Sequence, residues 1–146
     1  PKRFAVLNAR SAAYYRAYLD NHPDDLHAKV QLALRLTNQT PPMKGVLMLR
    51  RLAEENPKLF EAQLQLGRLS VRSNQWKKAE ERFRNALAIR PKSAETHFLL
   101  AQVLLNSPAG DRAEAKTLLQ QAESLAGNAE LRRAIDRLKA RAFQQD

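Results

Sequence analysis

Apolar and small residues recur along the chain at intervals of 34 positions, with a slip of two residues before the last members of each set. A fixed period of this length is typical of an array of helix–turn–helix units, because every unit presents the same face to its neighbours. Prolines that close the units also recur every 34 residues, without the slip. The sets are Gly45, Ala79 and Ala115; Leu49, Phe83 and Leu119; Leu52, Ala86 and Ala122; and Pro23, Pro57 and Pro91.

The spacing of apolar positions and helix-breaking residues predicts eight helices. Proline is tolerated in the first turn of a helix, so Thr40 before Pro41-Pro42 predicts a helix start. The residue before a proline avoids the helical region, so Asn56 before Pro57 predicts a helix end. The predicted helices span about residues 4–21, 25–37, 41–55, 58–72, 75–89, 94–106, 112–126 and 128–143.

Capping residues and glycines fit this pattern. Ser93, Asp111 with Glu114, and Asn128 are suited to cap the helices that follow them. Each of the four glycines has a predicted structural role. Gly45 and Gly67 are expected where helices cross closely, Gly110 in a turn, and Gly127 at a helix end that favours a left-handed residue.

The two ends of the chain differ in character. Tyr14, Tyr15 and Tyr18 in the first helix are expected to cover the open end of the stack, with an exposed aromatic docking site as the alternative. The last helix carries one apolar stripe, which predicts a terminal cap with one buried and one solvated face. The stripe is Leu131, Ala134, Ile135 and Leu138, and the residues expected in water are Arg132, Arg133, Arg137, Lys139 and Arg141.

The segment from Phe60 to Pro91 resembles a tetratricopeptide repeat. It has Leu66-Gly67 in its first helix, Trp76 at the start of the second, and Pro91 at its close. Ala79, Phe83 and Ala86 complete the pattern. The resemblance implies an all-α, right-handed superhelical stack of antiparallel helix pairs, an α-solenoid that forms a single domain over residues 1–146. Its parts are a partial repeat (1–25), three repeats (26–59, 60–93 and 94–127), and a capping helix with a tail (128–146).

The flanking repeats match less closely. Leu32-Ala33 and Leu100-Ala101 replace the Leu-Gly pair, and Gly127 stands where a closing proline is usual. The third repeat also has two extra residues in its turn, within the sequence Ser107-Pro108-Ala109-Gly110. The family pattern is therefore most specific in the middle unit.

Composition excludes several classes of protein. Cysteine is absent, which rules out disulfides and thiolate chemistry. The net charge of +10 favours acidic partners, although a solvated basic exterior is the plainer interpretation. No apolar run approaches the roughly 20 residues of a membrane span. The chain begins Pro1-Lys2-Arg3, partway through a repeat, so we interpret it as a fragment from which an anchor or signal could have been removed. Its general pattern resembles that of bacterial repeat proteins anchored near a membrane. The sequence does not decide between the cytoplasm and the periplasm as its compartment.

No catalytic, cofactor or metal motif is recognisable. His22, His27 and His97 lack a metal-ligand spacing, and His97 is expected to be a core or half-buried residue. Asp24 and Asp25 are interpreted as the start of a helix rather than as a catalytic pair. The sequence therefore predicts a non-enzymatic protein that needs no cofactor.

A cluster of basic residues makes nucleic-acid binding an alternative. The aromatic residues that stack on single-stranded bases are missing beside it, apart from Trp76 and Phe98, so this function is not favoured. The cluster comprises Arg68, Arg72, Lys77, Lys78, Arg82, Arg84, Arg90 and Lys92.

The resemblance implies a peptide-binding groove lined by the first helix of each unit. Val30, Leu64 and Phe98 are equivalent positions and are expected to form an apolar rail. The lining would hold an extended peptide or a short helix through amide hydrogen bonds and apolar contacts. The predicted groove residues are Val30, Gln31, Leu34, Asn38, Leu64, Gln65, Arg68, Arg72, Phe98, Gln102 and Asn106.

Some members of the family clamp the C-terminal carboxylate of heat-shock chaperones with lysine and asparagine. Here Val30, Leu34, Glu61, Gln65 and Gln102 occupy that region, so this type of recognition is not expected. Arg68 and Arg72 still form a positive patch for an acidic segment. The predicted function is a protein-interaction scaffold or adaptor with a protein or peptide partner, and self-association is the alternative.

Overall fold

The computed structural model describes the backbone of residues 2–143 and the side chains of residues 12–143. Pro1 and the tail 144–146 of the predicted capping segment lie outside the described residues. The described part of the chain is all-α, as predicted, and contains eight helices and no strand. They are α1 (Lys2–Asn21), α2 (Leu26–Thr37), α3 (Met43–Glu55), α4 (Phe60–Arg72), α5 (Trp76–Ile89), α6 (Ala94–Asn106), α7 (Arg112–Leu125) and α8 (Ala129–Phe143).

The chain divides into two compact units, residues 1–62 and 63–146, and the division falls within α4. In unit 1, α2 packs against both α1 and α3. In unit 2, α6 packs against α5 and α7, and α8 packs against α6 and α7. In each of these pairs within a unit, helices that are neighbours in sequence are thus neighbours in space, as short connections require.

The 34-residue pattern corresponds to the buried positions of the second helix in each pair. Leu49, Phe83 and Leu119 have no exposed surface. Burial of such side chains contributes about 1.5–3 kcal/mol each. The small members of the pattern are buried beside them, including Gly45, Ala79, Ala115, Ala86 and Ala122.

Close helix crossings explain two of the glycines. In unit 1, a Cβ atom on Gly45 would lie 2.5 Å from the carbonyl oxygen of Ala33 and 2.5 Å from the backbone nitrogen of Thr37. In unit 2, a Cβ atom on Gly67 would lie 2.4 Å from the ring of Phe83. Both predicted crossings are confirmed, and only glycine lets the paired helices approach this closely.

The start of α3 differs from the prediction. The helix begins at Met43 rather than at Pro41, because Pro41 itself precedes a proline and is therefore disfavoured from the helical region. Pro42 occupies the capping position, and its carbonyl accepts from Gly45 N–H (3.1 Å) and Val46 N–H (3.3 Å). Other helix boundaries agree with the predicted ones to within two residues.

The predicted caps are confirmed, with one difference. Ser93 Oγ accepts from Thr96 N–H (3.3 Å), and Asn128 Oδ1 accepts from Leu131 N–H (2.7 Å). Asp111 Oδ1 accepts from Glu114 N–H (3.0 Å). The carboxylate of Glu114, however, accepts from Arg84 instead of completing the capping box.

The left-handed residue is not where the sequence placed it. None of the glycines has a positive φ, so the expected role of Gly127 is wrong. Asn74 takes the left-handed conformation instead, with φ of 55°. Asparagine tolerates this region better than most residues, and Asn74 lies in the short connection between α4 and α5.

The tyrosines of α1 do not act together as a cap. Tyr15 packs against the buried cluster of Ala12, Leu32 and Leu36, whereas 60% of Tyr14 is exposed. Tyr14, Tyr18 and His22 follow one another at helical spacing and form a row of stacked rings. The ring centroids are 6.2 Å apart for Tyr14 and Tyr18, and 4.2 Å apart for Tyr18 and His22.

Asp25 joins this aromatic row to the start of α2. Its carboxylate caps the helix by accepting from Ala28 N–H (3.0 Å), and it accepts from the Tyr18 hydroxyl (3.1 Å). The hydrogen bond to Asp25 raises the pKa of Tyr18 above its ordinary value. The pKa of Asp25 is lowered, chiefly by the bond from Ala28 N–H and further by the bond from Tyr18.

We expect Asp25→Asn to destabilise the chain near neutral pH and to have less effect in acid. A carboxyl whose folded-state pKa is lowered stabilises the fold above its unfolded-state pKa, and this contribution is lost as the pH falls through the folded-state pKa. The difference in thermal midpoint between the wild type and D25N should therefore shrink below about pH 4. An equal difference at about pH 3 and about pH 7 would contradict this role.

The terminal helix has the predicted stripe, with Ile135 fully buried and Leu138 5% exposed. Three of its cations are not simply solvated, which corrects the prediction. Arg133 donates to the carbonyl of Ala129 through Nε (3.3 Å). Lys139 is half-buried and its Nζ donates to Glu123 (2.7 Å), while Arg132 donates to the carbonyl of Ala126 through Nε (3.2 Å).

Candidate functional site

The predicted groove residues of unit 2 lie on α4 and α6, and an ion pair joins these helices. The guanidinium of Arg68 on α4 donates to the carboxylate of Glu95 on α6. Both side chains are partly exposed, at 41% for Arg68 and 48% for Glu95. The pair connects the two helices at the surface where the sequence predicts ligand contacts.

The electrostatics of this surface favour added negative charge. Burial lowers the pKa of Arg68, and the charge of Arg72 one turn further along α4 lowers it again. Arg72 itself is exposed. A partly desolvated cation next to a second cation is stabilised by a nearby carboxylate, as Glu95 shows for Arg68.

The three positions of the predicted apolar rail differ in exposure. Val30 in unit 1 has no exposed surface and Leu64 in unit 2 is 7% exposed, so both belong to the packed interior of their helices. Phe98 on α6 is half-buried and presents part of its ring. Phe98 is therefore the apolar residue of this set that a ligand can reach.

The remaining predicted groove positions are more accessible to solvent. On α2 in unit 1, Gln31 and Leu34 are half-buried, and Asn38 is exposed at the end of the helix. Arg35 donates to Gln31 Oε1 (3.3 Å). Unit 2 contributes Gln65 and Gln102, which are half-buried, and Asn106, which is exposed and donates to the carbonyl of Gln102 (2.9 Å).

Sequence reasoning missed Glu95, the acidic residue of the site. Glu61 and Glu95 hold equivalent positions in successive repeats, as does His27 before them. In unit 1, Glu61 is paired with His27, whose Nδ1 lies 3.0 Å from Oε2. The 34-residue register was the available signal, because it places a glutamate beside the groove twice. The position one repeat before Arg68 is Leu34, which offers no charge to Glu61.

The basic cluster is partly neutralised within unit 2. Arg84 on α5 makes a two-pronged ion pair with Glu114 on α7, with donor–acceptor distances of 2.6 and 3.3 Å. The pKa of Arg84 is raised, and the bond to Glu114 is the main cause. Arg82 donates to the buried Gln63 (3.3 Å), and Arg68 is paired with Glu95. Lys77 and Lys78 on α5 are exposed. Carboxylates thus alternate with the cations, which is less favourable for a polyphosphate than an unbroken cationic patch.

Other features of the described residues bear on the possible chemistry. His97 is 7% exposed and its Nδ1 lies 2.8 Å from the carbonyl oxygen of Ser93, which agrees with the predicted core role. The described histidines and carboxylates form no group of three or more arranged to hold a metal ion. Within residues 2–143, none of the helices has both the length and the hydropathy needed to cross a bilayer.

The repeat pattern is matched by a known family. A profile of the tetratricopeptide repeat matches residues 71–142, which include α5 to α7 and most of α8. Over residues 71–142 the chain belongs to the tetratricopeptide repeat family. Its fold is therefore that of a protein-interaction scaffold, as the resemblance of residues 60–91 predicts. A search of curated proteins gave no match.

Solved structures share the fold of this chain over most of its length. A crystal structure of MamA has 15% sequence identity, covers 99% of this chain and 91% of its own, and gives a TM-score of 0.69. A MamA structure described as AMB-1 C2221 has 23% identity, covers 81% of this chain and 68% of its own, and gives 0.62. The MamA RS-1 ArsTM double mutant has 17% identity, covers 97% of this chain and 84% of its own, and gives a TM-score of 0.67. At these identities the likeness extends to the fold alone.

Proposed function

We propose that the surface formed by α4 and α6 in unit 2 binds an acidic segment of a protein partner. The observation that carries the proposal is the pairing of Arg68 with Glu95 beside the exposed Arg72. The pair supports the proposal because it is an intramolecular example of the contact that a ligand carboxylate would make. A charge-assisted bond between guanidinium and carboxylate is about twice as strong as a neutral hydrogen bond.

The remaining residues of α6 supply the other contacts of the proposed surface. Phe98 offers part of an aromatic ring, and Gln102 and Asn106 follow at intervals of four residues. These three therefore lie on one side of α6. Their amides suit the backbone of an extended peptide, while Phe98 takes an apolar side chain. The partner is expected to combine acidic and apolar residues.

Arg72→Glu is expected to lower the affinity for an acidic partner at least tenfold, which corresponds to about 1.4 kcal/mol. The side chain is exposed, so the fold should be retained. The partner is first captured from the native source with the wild-type chain, and its affinity for each variant is then measured by calorimetry. The wild-type affinity should weaken as salt rises, since exposed charges are screened.

Lys78→Glu is the matched control, because it makes the same change of charge at an exposed site on α5. We expect it to change the affinity less than twofold. Equal losses in both variants would indicate general attraction between charges, and an unchanged affinity in R72E would place the binding site elsewhere. Arg68 is better replaced with Gln, because a glutamate there would face Glu95 and destabilise the fold.

Self-association stays the alternative prediction. The feature that favours it is the exposed Tyr14 ring on α1, since large aromatic side chains are enriched at protein interfaces.

A further inference from the structure

A cleft of about 470 Å³ opens in unit 2 where three helix ends meet. It lies at the last turn of α6, the first residue of α7 and the last two turns of α8. Its volume falls within the roughly 300–1,000 Å³ typical of ligand pockets. The lining residues are Leu105, Asn106, Arg112, Leu138, Arg141 and Ala142.

Contacts around Arg112 hold the cleft in shape. Its guanidinium donates to the carbonyl of Ala142, and it also lies over the ring of Phe143, 4.8 Å from the centroid. Lys116 approaches the same ring, at 5.7 Å. These contacts tie the end of α8 to the start of α7. A cleft whose walls are already ordered binds a ligand at a lower entropic cost.

The lining combines aliphatic and cationic residues. Leu138 is 5% exposed, and Leu105 and Ala142 are half-buried, so part of the lining is aliphatic surface. Arg112 and Arg141 are exposed, and none of the six lining residues is acidic. Within the described residues, Arg141 has no ion-pair partner. The complementary ligand is therefore an aliphatic side chain with a carboxylate next to it.

Asn106 links the cleft to the surface of the proposed function, because it belongs to both. Phe98 and Asn106 are eight residues apart on α6, which corresponds to about 12 Å along the helix. An extended peptide of about four residues covers that distance. One short segment can thus contact Phe98 and Gln102 and place its end in the cleft.

We propose that this cleft binds an aliphatic residue of a partner peptide together with the carboxylates that flank it. The inference rests on the proposed function in one respect, since it takes the ligand to be a protein segment. The cleft itself is a separate site, built from α7 and α8 as well as α6. Arg141 would hold one of the carboxylates, and Leu105, Leu138 and Ala142 would enclose the aliphatic side chain.

Titrations followed by ¹H–¹⁵N correlation spectra test the site with three peptides. The first is Gly-Ser-Asp-Leu-Asp-Gly-Ser, the second replaces both aspartates with asparagine, and the third replaces leucine with serine. We expect the first peptide to shift the amides of Asn106, Arg141 and Ala142 in a saturable way. The other two should bind at least fivefold more weakly. Equal binding of all three peptides would overturn the proposal.

Two variants separate the cleft from the surface of the proposed function. Arg141→Gln should lower the affinity for the first peptide at least threefold. Arg137 is an exposed arginine on the same helix but outside the cleft, and Arg137→Gln should change that affinity less than twofold. Equal effects of R141Q and R137Q would overturn the proposal that the peptide binds in the cleft. If R72E weakens the natural partner and R141Q leaves this peptide unaffected, the cleft fails while the proposed function stands. If R141Q weakens binding of the peptide and R72E leaves the natural partner unaffected, the cleft is supported and the proposed function of the α4 and α6 surface fails.

Discussion

Gly67→Leu is expected to lower the thermal midpoint by roughly 2–12 °C. A Cβ atom at this position would lie 2.4 Å from Cε1 and 2.6 Å from Cδ1 of Phe83, far inside van der Waals contact. Phe83 has no exposed surface, so its ring cannot move aside into solvent. Overpacking of this kind costs about 1–3 kcal/mol, which corresponds to that shift for a domain of this size. Thermal unfolding followed by circular dichroism measures it.

Gly127→Leu is the matched control, because a Cβ atom there meets nothing within 4 Å and the backbone φ is not positive. Its midpoint should stay within about 2 °C of the wild type. A double-mutant cycle between Gly67→Ala and Phe83→Leu adds a direct test of the contact, since residues in contact couple by about 0.5–3 kcal/mol. An unchanged midpoint in G67L, or strictly additive effects in the cycle, would show that the crossing is not tight.

Removal of residues 129–146 is expected to destabilise unit 2 and make the chain aggregate. The helix α8 buries Ile135 and Leu138 and packs on α6 and α7. Without it, the apolar side of those helices meets water, and a terminal repeat needs a polar outer face to stay soluble. Light scattering coupled to size-exclusion chromatography should show mass that rises with concentration, together with a lower thermal midpoint.

Point substitutions on α8 make the same test without shortening the chain. Ile135→Ala should cost about 2–5 kcal/mol, the usual range for a buried large aliphatic residue. Arg137→Ala, at an exposed position two residues further on, should cost less than about 0.5 kcal/mol. A truncated chain that stays monomeric with an unchanged midpoint would contradict the capping role of α8.

Helix starts show how far local sequence carries a prediction. Ser93 and Asn128 cap the helices that the sequence assigned to them, because capping depends on a side chain and a backbone N–H only three residues apart. The start at Pro41 was wrong because the rule for the residue before a proline overrides the tolerance for proline in a first turn. Competing local rules of similar strength leave such boundaries open by one or two residues.

The candidate site shows where prediction from sequence fails. The register correctly identified the helices that carry the predicted groove residues, but it treated Val30, Leu64 and Phe98 as alike in exposure. Their exposures differ, because burial depends on what packs over each position. The sequence predicts a positive patch at Arg68 and Arg72 but not the partner of Arg68, because Glu95 lies 27 residues away in sequence and directly beside Arg68 in space. Such a pairing depends on how two helices are placed, which local patterns do not specify.

The sequence by itself determined the repeat period, the eight helices and the buried positions of the second helix in each pair. These follow from apolar spacing and from backbone chemistry that acts within a few residues. Only the tertiary structure decided that Arg68 pairs with Glu95, that Tyr14 is exposed, and that the ends of α6, α7 and α8 enclose a cleft. The reason is that each of these features depends on distances between helices, and those distances are set by packing across the whole of a unit.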